Sequence, residues 1–148
     1  MTRSLLITLV TCIIAGTVQA QAMIGKSFDY VKNAMKKQGS TWDGNDDVSE
    51  YGGDVVGFGL VNHMKGARSF LTTYYFWFDQ ENHLCIKETI NAPNKGFKLI
   101  ISSYITSYYR TGGMTFKSPN GKIGVAIANE ADGTSTAAFY STKFFPGN

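Results

Sequence analysis

Cysteine is almost missing from this chain: among 148 residues there are only Cys12 and Cys85, and Cys12 lies inside the apolar N-terminal run. With one thiol left beyond that run, an intramolecular disulfide is excluded, so the fold must be held by packing. Histidine is as scarce, with His63 and His83 the only two, which leaves little material for a metal cage or a proton relay. Charge is thin as well: 17% of residues are charged, the net charge is +3, and the lysines are scattered, so the basic footprint of a nucleic-acid partner is lacking. No apolar run approaches the roughly 20 residues a membrane-spanning helix needs. Nor does the chain carry a Gly-x-Ser-x-Gly elbow or a glycine-rich turn ending in Gly-Lys-Ser/Thr. No cofactor is implied.

What is present begins with an export signal. Arg3 supplies one cation, Leu5 to Ile14 a short apolar core, and Val18-Gln19-Ala20 a small-residue exit, the three parts of a secretory signal. Cleavage is expected after Ala20, leaving residues 21–148 as one domain in the periplasm or outside the cell. A lipoprotein reading of Leu9-Val10-Thr11-Cys12 meets two objections: Thr11 is larger than the residues usual before an acylated cysteine, and Ile13-Ile14 continue the apolar run.

Along residues 21–148, Ser27 caps a helix with Phe28, Val31 and Met35 on one stripe and Gly39 as its stop. Residues 40–53, rich in Asp, Gly, Asn and Ser, read as a loop anchored by Trp42 and Tyr51. Three strands follow: Val55 to Met64, a Lys65-Gly66 turn, Ala67 to Phe78, then a return through 79–82 into His83 to Ile90. A second helix is expected over Asn94 to Arg110, with Phe97, Ile100 or Ile101, Tyr104 and Tyr108 on its stripe. Three more strands close the chain: Met114 to Lys117, Ile123 to Asn129 and Thr134 to Phe145, with turns at Pro119-Asn120-Gly121 and Asp132-Gly133. The expected fold is α+β, an antiparallel sheet with two helices on one face in the order α-βββ-α-βββ, with a weak internal duplication.

Alternate residues of a strand point to opposite faces, so the turns sort the side chains. Pairing Met64 with Ala67 and Phe78 with His83 puts Val56, Phe58, Leu60, Leu71, Tyr75, Trp77, Leu84, Ile86 and Ile90 in the core. The opposite face then carries Gly57 and Gly59 beside Tyr74 and Thr72, flanked by Phe70 and Phe76. Such an aromatic trough is a candidate site for a protein partner or a small flat ligand, or for a second copy of the chain. The competing reading is that another layer covers these rings and they are simply core.

Cys85 and His83 invite a nucleophile–base pair. Residues two apart on a strand are separated by about 6.6 Å, and His63 falls on the order of 26 Å away, so a buried, inert Cys85 is the plainer account. A His-x-Cys zinc site lacks ligands beyond carboxylates such as Asp79 and Glu81. Asp43, Asn45, Asp47, Ser49 and Asp54 occupy oxygen-donor places of a calcium loop, but Val48 stands where the sharp turn needs glycine and Asp54 where a longer Glu is usual.

Ile24-Gly25-Lys26-Ser27 opening a helix, followed by Tyr75-Phe76-Trp77-Phe78-Asp79 and the Leu84-Cys85 return, resembles small exported bacterial α+β proteins of uncharacterised function. The tandem helix-plus-sheet order is also similar to that of periplasmic inhibitor and outer-membrane accessory domains, which bind other proteins through a sheet. These likenesses carry no catalytic residue. The function expected is non-catalytic binding through the trough of Gly57, Gly59, Phe70, Tyr74 and Phe76, with a small hydrolase or transferase using Cys85 and His83, or a homodimerising structural protein, as the alternatives.

Overall fold

Ser27 caps the first helix by accepting the Tyr30 N–H at its Oγ, 3.4 Å away, which satisfies one of the donors a helix start leaves open. Helix α1 (Phe28–Lys37) buries Val31 and Met35, and Gly39 ends it at φ +81°, where a Cβ would be strained. In this computed structural model residues 22–42, 47–48, 54–62 and 69–145 are described. The expected export signal with Cys12 and Ala20, and the expected Lys65-Gly66 turn with His63, lie outside them.

Nine strands follow: β1 (Thr41–Trp42), β2 (Asp47–Val48), β3 (Asp54–Asn62), β4 (Phe70–Phe78) and β5 (Cys85–Pro93), then, after helix α2 (Asn94–Ile105), β6 (Tyr109–Gly112), β7 (Thr115–Lys117), β8 (Ile123–Asn129) and β9 (Thr134–Ser141). All pairings are antiparallel, and the seven from β3 onward run β3-β4-β5-β9-β8-β7-β6, with β1 and β2 both lying along the outer edge of β3. The fold is therefore α+β on an open antiparallel sheet. No helix among the described residues is long and apolar enough to cross a membrane.

Two expectations about elements change. The second helix stops at Ile105, where Tyr108 N–H closes the last turn onto the Ile105 carbonyl at 2.9 Å. Residues 109–112 instead become β6, hairpinned to β7 across Gly113. Tyr, Arg and Thr there accept either conformation, and pairing with β7 satisfies their backbone groups while the Gly113 turn at φ +44° permits the reversal. Four strands rather than three thus follow α2, and two short ones precede β3.

The larger correction is one of register. Val55 faces Trp77, Val56 faces Phe76 and Phe58 faces Tyr74, a slip of one residue from the pairing expected from a Lys65-Gly66 turn. One residue reverses the faces of β4. Thr72, Tyr74, Phe76 and Phe78 point into the core, while Leu71 and Tyr75 are exposed and Trp77 is half-buried. The chemistry favours this outcome: Phe76 and Phe78 have no polar atom to satisfy, whereas Tyr75 and Trp77 carry an O–H and an N–H that can reach water from the outer face.

The return strand differs as well. Phe78 pairs with Cys85 rather than His83, and a bulge follows, so that Trp77 faces Lys87 and both Cys85 and Ile86 are buried. His83 sits in the tight turn at φ +54°, with its N–H bonded to the Asp79 carbonyl at 2.9 Å. One hydrophobic cluster joins Val31 and Met35 of α1, Phe97 and Ile101 of α2, and the inward residues of β3, β4, β5, β8 and β9.

Candidate interaction surface

With the inner face filled, the chemistry available to the outside lies on the outer face. The pairings place its residues in rows: Val61 beside Leu71; Gly59, Thr73, Asn91 and Thr136; Gly57, Tyr75, Thr89 and Ala138; and Val55, Trp77, Lys87 and Tyr140. Val61 and Leu71 are each 54% exposed and Tyr75 38%, on adjoining strands of one surface. Tyr75 and Trp77 stand with ring centroids 6.3 Å apart, and the Lys87 ammonium lies 4.7 Å from the Trp77 ring. Toward the centre the face becomes polar, and the Asn91 amide donates to Thr134 and Thr136 hydroxyls at 3.1 and 2.9 Å. The arrangement is an apolar, aromatic end on β3 and β4, graded into a threonine-lined middle.

Of the residues expected to form a trough, only the glycines lie on this face, Gly57 buried and Gly59 half-buried. Gly57 and Gly59 lie beside Tyr75 and Thr73, not Tyr74 and Thr72. Tyr74 is 3% exposed and Phe76 0%, and their rings stack in the core at 6.4 Å. Phe70 is half-buried with its ring pressed against Gly96 in the first turn of α2, where a side chain would collide with it. The trough of Tyr74, Phe76 and Phe70 is therefore core, because the one-residue slip carried it to the inner face.

The nucleophile reading fares no better. Cys85 is sealed in the core, its thiol donating to the Lys87 carbonyl at 3.4 Å, while His83 stands exposed in the turn. Burial first, and the nearby Glu88 carboxyl second, push the thiol well above its ordinary range, so the reactive thiolate is disfavoured. Iodoacetamide at neutral pH is expected to label Cys85 no faster than the protein unfolds. Rapid labelling of the native protein would restore the enzyme reading.

No cluster of three metal-ligating side chains occurs among the described residues. Asp43, Asn45 and Ser49 of the calcium-like loop lie outside them, while Asp47 and Asp54 are strand residues, pairing with Val55 and Val48 along β2 and β3.

One buried carboxyl group, that of Glu88, carries no mark in the sequence reading. Glu88 is fully enclosed, with Phe76 and Phe139 as its cross-strand partners, and its Oε2 accepts the Met23 N–H at 2.7 Å. Burial pushes its carboxyl from 4.5 up to about 8, against the stabilising Met23 hydrogen bond. It in turn raises Tyr74, Tyr104 and Tyr108, in each case after burial itself. The signal was available: Ile86-x-Glu88-x-Ile90 puts a carboxylate on the same parity as two core isoleucines. No protein-family model, curated protein or solved structure matches this chain.

Proposed function

We propose that the chain is an exported, non-catalytic interaction domain of the periplasm or the extracellular space, and that it holds a protein partner on the outer face of its sheet. The observation that carries this reading is the exposure of Val61, Leu71 and Tyr75, the last beside Trp77, on one face whose opposite side already fills the core. Soluble domains rarely leave such groups on one surface without a use for them. Aromatic anchors with a polar surround are also the composition of a binding hot spot. The resemblance to small exported bacterial proteins, and to sheet-binding periplasmic domains, belongs to the same proposal.

So does a duplicated architecture. The strand order β3-β4-β5 followed by β9-β8-β7 places two three-strand units side by side through β5 and β9, each preceded in the chain by a helix. Both helices contribute to the single core cluster, which supports a reading in which they share one face.

The test uses immobilised protein exposed to the periplasmic and culture-medium fractions of the producing cells. Leu71→Asp with Tyr75→Ala is expected to lower capture of a specific partner at least about tenfold, the scale of one hot spot, with the melting temperature nearly unchanged. Unaltered capture would remove this face from the proposal. A molar mass that doubles with concentration in light scattering, and is lost in the same variant, would instead make a second copy the occupant. Binding of small glycans by the native protein alone would make it a flat ligand.

A further inference from the structure

We propose that signal removal takes place after Ala22, and that the α-ammonium group this frees on Met23 forms a buried ion pair with Glu88. The inference rests on the export reading but not on the interaction surface. Ala20-Gln21-Ala22 sets small residues three and one before Met23, which suits the small-x-small exit of a signal at least as well as Val18-Gln19-Ala20. Hydrolysis by a signal peptidase breaks the Ala22–Met23 peptide bond. Water gives its hydroxyl to the Ala22 carbonyl carbon and a proton to the Met23 nitrogen, which takes up one further proton near neutral pH. Cleavage during export precedes folding, so the half-buried position of Ala22 in the folded chain is no obstacle to it.

The nitrogen concerned already sits 2.7 Å from Glu88 Oε2. Its position is set from the C-terminal side: Gly25 N–H bonds to the Cys85 carbonyl at 2.7 Å, Cys85 N–H to the Lys26 carbonyl at 2.8 Å, and Ser27 bridges Leu84. These backbone bonds come from residues after Met23, and Ala22 packs against the core cluster beside it. The titratable groups that Glu88 influences are Tyr74, Tyr104, Tyr108 and Cys85, each neutral in its ordinary state, so none brings a compensating positive charge. A peptide N–H offers the carboxylate a single uncharged donor. An α-ammonium offers three donors and a full charge at the same place, which is the arrangement a buried carboxylate requires.

The full-length chain, expressed in an exporting bacterial host and purified from the periplasm, supplies the test. Intact mass and N-terminal sequencing are expected to show a chain starting at Met23. A start at Gln21 would overturn the proposal and leave export standing, whereas an uncleaved chain would overturn export with it. The pair itself is read by acetylating the α-amine across a pH series, native against urea-unfolded. Pairing raises the amine's midpoint above its unfolded value of roughly 7.7–8.0, while burial alone would lower it. A native midpoint at least one pH unit higher is expected, and Glu88→Gln should abolish the difference. A native midpoint at or below the unfolded one overturns the ion pair, and because this comparison is made on the unsubstituted protein, it holds even if Glu88→Gln does not fold.

Discussion

Phe76→Ala is expected to destabilise the domain by about 3–5 kcal/mol, while Tyr75→Ala, one residue away, should change it by less than about 1 kcal/mol. Phe76 is wholly enclosed, edge-on to Phe58 at 5.7 Å and stacked with Tyr74, so truncation both loses its transfer energy and leaves a cavity that a close-packed core fills poorly. Tyr75 faces outward, and its removal mainly uncovers surface already partly wet. Urea denaturation followed by far-UV circular dichroism measures both, and a shift in midpoint at constant slope would identify a stability effect. Equal effects, or a larger one for Tyr75→Ala, would reverse the faces of β4. The interaction surface proposed on Leu71 and Tyr75 would go with them.

The second large effect is a pH dependence centred on Glu88. In the chain whose Met23 carries an ordinary peptide N–H, burial holds the folded carboxyl at about 8 against 4.5 when unfolded. A raised value means the folded state keeps its proton longer, so stability is fully present below about pH 4.5 and declines as pH rises toward 8. The slope attributable to this group is about 1.4 kcal/mol per pH unit within that window, levelling above it. Glu88→Gln keeps an acceptor for the Met23 N–H but cannot ionise, so the difference between native and variant chains isolates the effect. Parallel stability curves from pH 5 to 8 would place the Glu88 carboxylate in contact with water or with a cation. A chain starting at Met23 should show a weaker decline than one with residues retained before it, since the ammonium lowers the carboxyl that burial raises.

Much of the architecture was legible locally. Ser27 and Gly39 mark both ends of α1, the span from Ile123 to Asn129 is a strand as its pattern requires, and Gly121 and Gly133 take the positive φ values their turns demand, +68° and +85°. These features depend on side chains a few residues apart. The end of α2 was less legible, because Tyr108 to Thr111 suit helix and strand alike, and the deciding partner, β7, is met only after the chain reverses.

The sequence by itself marked two amphipathic helices and a set of antiparallel strands whose alternation was plain. It also contained every residue of the outer surface and of the Glu88 enclosure. What it left open was which of two parities faced inward, since Phe70 to Phe78 carries one threonine and several large apolar or aromatic residues on each side and offers no polar row to mark the solvent. Only the tertiary structure decided that, through a pairing displaced by one residue and a bulge at Ile86. A side chain's face is a two-fold choice made for a whole strand at once, so a single position in register exchanged the two faces of β4, while Val56, Phe58, Ile86 and Ile90 stayed in the core.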